Sequence, residues 1–463
     1  MKPSSQNIEF DLDLIRRYDT AGPRYTSYPT AVQFTEAFTP ARYAEIARAT
    51  NAQGGPLSLY FHLPFCDTVC YYCACNKVVT KDRSKAQPYL DRLYREIAMQ
   101  AALFDDERSV DQLHWGGGTP TFISHEQMRE LMRVTGEHFR LRDDDSGEYS
   151  IEIDPREVHP ETIATLRDIG FNRLSMGVQD FDPKVQQAVN RIQSEAETLG
   201  VIQEAREVGF KSISVDLIYG LPFQTPESFR RTVQRIVDVD PDRISVFNYA
   251  HMPELFKPQR RINEDELPSP AQKLDILQQT IEQLGEAGYV YIGMDHFAKP
   301  DDELAVAQRE GTLYRNFQGY STHAECDLVA MGVTSIGMVG DSYAQNLKGL
   351  DDYYARIDAS ELAIFRGVEL TADDRLRRAV ITDLICHFAL DYAAVEQAHG
   401  VVFADYFAAE LEALKTMEAD GLLVTDAEGI RVSPRGRLLI RNICMVFDRY
   451  LREARERRFS KVI

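Results

Sequence analysis

Leu57-Ser-Leu-Tyr60-Phe-His62-Leu-Pro-Phe-Cys66-Asp-Thr-Val-Cys70-Tyr-Tyr72-Cys73-Ala-Cys75 is an apolar run that ends in a group of thiols. Residues Leu57–Leu63 read as a buried strand, because apolar residues fill nearly every position. Four of the seven cysteines fall within the ten residues that begin at Cys66. A Cys-x3-Cys-x2-Cys loop just past a strand points to an iron–sulfur cluster. Three thiolates leave one iron of a four-iron cluster without a protein ligand, whereas an electron-carrying cluster normally takes four cysteines. An open iron is a place for a small molecule to bind and react. Zinc is the competing reading. Structural zinc usually takes two ligand pairs separated by a longer spacer, and Cys326, Cys386 and Cys444 stand singly. These three read as buried or surface thiols.

Downstream, strands and helices alternate. Strands are expected at Val110–Trp115, Tyr149–Ile153, Arg173–Gly177, Ser212–Ile218 and Arg243–Phe247, with helices between them. Six β/α units in series predict an α/β fold, a partial (β/α)6 TIM-like barrel, with functional groups at the C-terminal strand ends. The cysteine loop, Gly116-Gly117-Gly118-Thr119-Pro120, Glu152, Gln179, Asp216 and Tyr249-Ala250 all fall at or just past such ends. The glycine run reads either as a tight turn or as backbone that a ligand can approach closely. Glu152 reads either as a solvated rim carboxylate or as an acceptor for ribose hydroxyls. Asp216, flanked by Val215 and Leu217, is a carboxylate in a buried strand and needs partners. Arg191 is an ordinary helix residue unless a carboxylate holds it.

Residues 1–39 read as an N-terminal arm, in which Gly22-Pro-Arg24-Tyr25-Thr-Ser-Tyr28-Pro29 breaks any helix. The arm is either an extended segment packed on the body or a lid, with Arg24 near an anionic ligand. Residues 40–348 form the expected catalytic domain, within which Tyr314–Tyr320 reads as a polar-aromatic loop. Residues 349–463 form a smaller, mainly helical, winged-helix-like domain. It comprises helices at 375–390, 403–418 and 438–455 and a hairpin made of 421–425 and 429–433.

The bulk numbers are those of a soluble globular chain: 463 residues, 44% hydrophobic and 27% charged. No apolar run reaches the roughly 18 to 20 residues of a membrane span, and Met1–Asp13 carries no signal-peptide pattern. The expectation is a cytoplasmic, monomeric protein with no membrane contact. The net charge of −20 disfavours nucleic acid. The tail Arg452-Glu-Ala-Arg455-Glu-Arg457-Arg458 reads as a solvated helix end.

Cys66-x3-Cys70-x2-Cys73, with Tyr72 before the third cysteine, resembles the signature of radical S-adenosylmethionine enzymes, and Gly117-Gly118-Thr119-Pro120 resembles their glycine motif. The likeness narrows with Cys75-Asn-Lys, Arg24-Tyr-Thr-Ser-Tyr-Pro-Thr, His114-Trp-Gly-Gly-Gly-Thr-Pro-Thr, Ser175-Met-Gly-Val-Gln-Asp, Asp216-Leu-Ile-Tyr-Gly-Leu-Pro and Gly436-Arg-Leu-Leu-Ile-Arg-Asn. Together these are similar to the oxygen-independent coproporphyrinogen III oxidases.

The resemblance implies a [4Fe-4S] cluster on Cys66, Cys70 and Cys73 that binds and reduces S-adenosylmethionine. A 5'-deoxyadenosyl radical then drives oxidative decarboxylation of two propionates of coproporphyrinogen III to vinyl groups, giving protoporphyrinogen IX in haem biosynthesis. It implies that Tyr60, Gly117, Glu152 and Ile336 contact the cluster-bound cofactor. Tyr72, Gly118, Thr119, Gln179, Arg191, Asp216 and Ala250 would contact a second S-adenosylmethionine. Cys75 would serve turnover and not the cluster, Arg24 the substrate carboxylates, and an electron-donor protein would supply reducing equivalents. The alternative is a related haem-binding chaperone; such relatives lack the Cys75 equivalent and the long arm, which this sequence has.

Overall fold

A computed structural model describes residues 8–453. The chain forms two compact units. One comprises 33–268 and 325–369; the other comprises the described residues up to 32, then 269–324 and 370 onward.

The first unit is built on six parallel strands: β1 (Leu57–Leu63), β2 (Ser109–Gly117), β3 (Glu148–Ile153), β4 (Arg173–Gln179), β5 (Ser212–Tyr219) and β6 (Arg243–Asn248). Each pairs in parallel with the next. Helices return the chain between them, among them Ala86–Ala101, His125–His138, Glu195–Glu207 and Pro226–Val239. Three of these helices start where serine or threonine can close a capping box: Ser124 with Gln127, Ser194 with Glu197 and Thr225 with Ser228. Each box satisfies two N–H groups that the helix itself leaves open.

β1 does not close back on β6. Its free side pairs in parallel with β7 (Asp327–Met331), and β8 (Ile336–Val339), β9 (Ser342–Asn346) and β10 (Ile364–Glu369) follow antiparallel. The six-stranded run is therefore a partial barrel, as expected. The strand β10 lies in the same compact unit as the sheet it joins.

Strand alternation decides what the site receives. In β4 and β5 the less buried residues are Ser175, Gly177, Gln179, Ser214, Asp216 and Ile218, spaced by two. They share one face of the sheet. Register places Glu152 beside Ser175, and Gly177 beside Asp216, which is itself beside Ser245. Tyr60 pairs with His114 and His114 with Ser150. One face of the sheet thus collects small and polar side chains between strands that are otherwise apolar.

In the second unit, Asp11 caps the short helix Leu12–Arg17. Leu14 and Tyr18 pack with Leu422 and Leu439. Tyr25 donates to the Asp448 carboxylate at 3.0 Å, and Arg441 donates to the carbonyls of Gly22 and Pro23. Residues 14–25 of the arm are thus held to the C-terminal segment, whereas Thr35 pairs with Gly367 of β10. The wing contains a third strand, Ala389–Asp391, beside Leu423–Thr425 and Gly429–Val432. Residues 314–321 form a hairpin and not a loop: Tyr314–Asn316 pairs with Gly319–Ser321. Gly319 at φ +128° makes the turn that a side chain would strain. The basic run Arg455–Arg458 lies outside the described residues. Among the described residues no helix is long and apolar enough to cross a membrane.

Candidate functional site

The cysteine loop is closed by short parallel pairing of Phe65–Cys66 with Val78–Val79. Its middle is pinned by Tyr71 N–H to the Val189 carbonyl at 2.9 Å and by Asn190 Nδ2 to the Val69 carbonyl at 2.8 Å. Cys70 is buried, Cys66 and Cys73 are half-buried and Cys75 is exposed. Donors surround the first two sulfurs. Thr119 Oγ1 lies 3.6 Å from Cys66 Sγ. Arg156 Nη2 and Arg191 Nη1 lie 3.4 and 3.6 Å from Cys70 Sγ. One carboxylate, Asp154, holds both guanidiniums, at 2.6 Å from Arg156 and 3.0 Å from Arg191. Lys77 Nζ donates to the Cys73 carbonyl at 3.1 Å.

Burial pushes the Cys66 thiol up to about 12, although the Thr119 hydroxyl opposes this. A hydrogen bond from Cys75, then Lys77, draws the Cys73 thiol well below its ordinary value. Structural zinc usually takes a fourth ligand from a second pair, whereas a cluster that binds a small molecule leaves one iron without a protein ligand. Three thiols with hydrogen-bond donors on two of them fit a multi-iron cluster.

The glycine run packs directly on this loop. Gly118 N–H donates to the Leu63 carbonyl at 2.8 Å and Thr119 N–H to the Phe65 carbonyl at 2.7 Å. A Cβ on Gly118 would meet the Phe65 carbonyl oxygen at 2.6 Å, a backbone contact that cannot yield. Gly117 sits at φ +114°, where its N–H donates to Glu152 Oε2 at 3.1 Å. The N–H groups of 117, 118 and 119 are thus already engaged. Gly118 is required by the packing of the two loops, the turn-like half of the two readings of this run.

Glu152 is brought to the same place by β3. Its side chain is 48% exposed, with His114 Nε2 3.3 Å from Oε1. Desolvation pushes its pKa up, but the His114 and Gly117 hydrogen bonds outweigh this and hold it below the usual range. The carboxylate is thus ionised and open to a ligand. Tyr60 stacks on His114, centroids 5.8 Å apart and planes within 12°. Its hydroxyl lies 3.1 Å from His62 Nδ1, while His62 Nε2 lies 3.1 Å from the Asn76 carbonyl. Since a carbonyl only accepts, Nε2 carries the proton and Nδ1 accepts from Tyr60. Burial lowers the His62 pKa, so the ring is neutral.

Across β4 to β6 lie the groups without partners. Gln179, at φ +68°, keeps a buried Oε1 with no hydrogen bond, and Asn248 Oδ1 and Arg191 Nε are in the same state. Buried polar atoms of this kind are normally satisfied, so a polar ligand fits here. Gln259 Nε2 joins the Tyr72 carbonyl at 3.1 Å to that of Ala250 at 3.3 Å. Ile336 begins β8, next to Gly337, whose missing Cβ makes room for the Leu328 carbonyl on β7, two residues before Ala330, which is in register with Tyr60. Every cofactor-contacting residue expected from sequence therefore lies in this one unit. Arg24 lies in the other, paired with Asp295 at 2.7 Å. Sequence reading missed His62, His114, Asp154, Arg156 and Gln259. Asp154-Pro-Arg156 follows Glu152 directly, and that adjacency was the available signal.

Burial raises the Asp216 pKa to about 7, with Ser245 and Ser175 hydrogen bonds opposing. The folded chain therefore holds a proton that the unfolded chain releases near the ordinary aspartate value of 3.8. Asp216 contributes stability that is fully present below that lower value and is lost as pH rises toward 7. Asp216→Asn should accordingly gain stability relative to wild type between about pH 4 and pH 7. Paired thermal melts of the ligand-free chains measure this. A stability difference flat across that range would show that Asp216 does not titrate there.

Comparison with known proteins gives matches over nearly the whole chain. Residues 60–236 match the radical SAM superfamily and residues 370–439 the HemN C-terminal domain. An oxygen-independent coproporphyrinogen III oxidase of Pseudomonas aeruginosa is 57% identical over 98% of this chain and 99% of its own length. The Escherichia coli protein of that name is 54% identical over 99% of this chain and all of its own. The solved structure described as coproporphyrinogen III oxidase (HemN) from Escherichia coli, a radical SAM enzyme, covers 96% of this chain with a TM-score of 0.92 at 53% identity.

Proposed function

We propose that this chain, which belongs to the family of oxygen-independent coproporphyrinogen III oxidases within the radical SAM superfamily, holds a [4Fe-4S] cluster on Cys66, Cys70 and Cys73. It is an oxidoreductase of haem biosynthesis: it decarboxylates two propionates of coproporphyrinogen III to vinyl groups and yields protoporphyrinogen IX. The observation that carries the cluster assignment is the trio of thiols with Thr119, Arg156 and Arg191 aimed at two of its sulfurs.

When bound, the cluster and S-adenosylmethionine would supply a deoxyadenosyl radical able to take hydrogen from the substrate's β-carbon. The protein's share is positioning and exclusion of side reactions. Glu152, ionised and held by His114, accepts from ribose hydroxyls. Tyr60, Gly117 and Ile336 enclose the same cofactor. Tyr72, Gly118, Thr119, Gln179, Arg191, Asp216 and Ala250 contact a second S-adenosylmethionine; the unpartnered Gln179 Oε1 and Arg191 Nε support that reading. Cys75, exposed and hydrogen-bonded to Cys73, stays off the cluster and serves turnover. The division into an arm (1–39), a catalytic domain (40–348) and a C-terminal domain (349–463), a cytoplasmic monomer, and reduction by an electron-donor protein complete the proposal.

The decisive experiment is anaerobic incubation with reductant, S-adenosylmethionine and coproporphyrinogen III. Vinyl product and deoxyadenosine are expected together, and absence of both would refute the assignment. Arg24 is the proposed cation for a substrate carboxylate, since its planar fork suits that group. Arg24→Ala should raise KM for coproporphyrinogen III about tenfold or more, with uncoupled cleavage of S-adenosylmethionine unchanged. An unaltered KM removes Arg24 from substrate binding.

A further inference from the structure

The second compact unit carries a buried guanidinium whose donors the chain does not all satisfy. Arg315, in the hairpin strand Tyr314–Asn316, is 7% exposed. Its guanidinium lies over the Tyr320 ring, 4.6 Å from the centroid. Tyr320 is fixed in turn by its hydroxyl, which donates to the Ile385 carbonyl at 3.0 Å. Yet Nε and Nη1 of Arg315 are buried and have no hydrogen-bond partner.

The neighbours add positive charge. Arg441 is 3% exposed. It lies near enough to Arg24, Arg315 and Asp295 for each charge to act on it. Asp295 pairs with Arg24 at 2.7 Å. Asp383 shares the surroundings of Cys386 with Arg315. No hydrogen bond joins Asp383 to the buried Nε or Nη1 of Arg315. A buried guanidinium with idle donors is costly unless an anion meets it. Cationic and aromatic surroundings together suit a flat, singly charged carboxylate attached to an apolar body.

We propose that Arg315, lying over Tyr320 with Arg441 and Arg24 nearby, forms a carboxylate-binding site in the unit made of the arm, residues 269–324 and the C-terminal domain. The ligand's carboxylate occupies the idle N–H donors of Arg315. Two sources share this chemistry: a propionate arm of a tetracarboxylate tetrapyrrole, and a free small carboxylate. The site stands whether or not the oxidase reading does, because it is read by binding and not by turnover.

The test uses the full chain and follows its thermal unfolding with three probes: coproporphyrin III, its tetramethyl ester, and acetate. Wild type should gain about 3 °C or more from a carboxylate probe at saturation and nothing from the ester. A gain from coproporphyrin III alone identifies a propionate; an equal gain from acetate identifies a free carboxylate. Arg315→Met should abolish the gain. Without ligand it should be as stable as wild type or more so, since it removes an uncompensated buried charge. Arg315→Lys, which keeps the charge but moves the donors, should need about tenfold more probe. The proposal is overturned if wild type responds to neither carboxylate, if Arg315→Met responds as wild type does, or if ligand-free Arg315→Met is the less stable chain.

Discussion

Cys70→Ala, purified without oxygen, is expected to retain at most about a tenth of the wild-type iron and to form no deoxyadenosine. The reasoning starts from geometry. Cys70 is the buried member of the trio, and its sulfur receives donors from both Arg156 and Arg191. Those two guanidiniums are themselves fixed by Asp154. Alanine at 70 leaves two cations facing a space with no anion, and two thiols cannot hold three irons of a cluster. Cys75→Ala supplies the contrast. Cys75 is exposed, and its partner is Cys73. That variant should keep wild-type iron and cluster absorbance yet give no vinyl product. Iron and sulfide analysis with anaerobic turnover decides both. Full iron in Cys70→Ala, or iron loss in Cys75→Ala equal to that in Cys70→Ala, would reassign the ligands.

The second large effect is on stability. Glu96→Ala should destabilise the chain by about 3–5 kcal/mol, read as a shift in denaturant midpoint. Glu96 is fully buried on the inner face of the helix Ala86–Ala101. Its carboxylate accepts from Gly332 N–H at 2.7 Å, Asn346 Nδ2 at 2.6 Å and Tyr353 Oη at 2.6 Å. Desolvation pushes its pKa up, and the three hydrogen bonds oppose that. Alanine strands three buried donors at once and leaves a void the size of the lost side chain. Gln, which keeps an acceptor and the volume, should cost less than half as much. A loss under about 1 kcal/mol for Ala would mean that water replaces the carboxylate. The turn after β7 and the strand β9 depend on this anchor, so Glu96→Ala should also loosen the segment that presents Ile336.

The fold was largely legible because its signals are local. Each strand from Leu57 to Phe247 is a short apolar run, and serine or threonine marks several helix starts. The Tyr314–Tyr320 segment was misread because a three-residue strand pair has too few residues to show a period. Glu96 was not legible at all. A glutamate in an amphipathic helix reads as solvated, and the three groups that bury it lie 236 to 257 residues away along the chain.

The site divides in the same way. The sequence by itself determined the cysteine loop, the glycine run and the strand-end positions of Glu152 and Gln179, because strand period and motif spacing are properties of neighbours in the chain; Asp216 lies inside its strand, Ser212–Tyr219, and not at its end. Only the tertiary structure decided what those residues meet. Pairing register set His114 beside Tyr60 and Ser150, and put Asp216 opposite Gly177. Packing of one loop on another explains Gly118, and Asp154 turns two arginines toward one sulfur. Such contacts join residues far apart in sequence, and no local pattern encodes which distant partner will satisfy a buried charge.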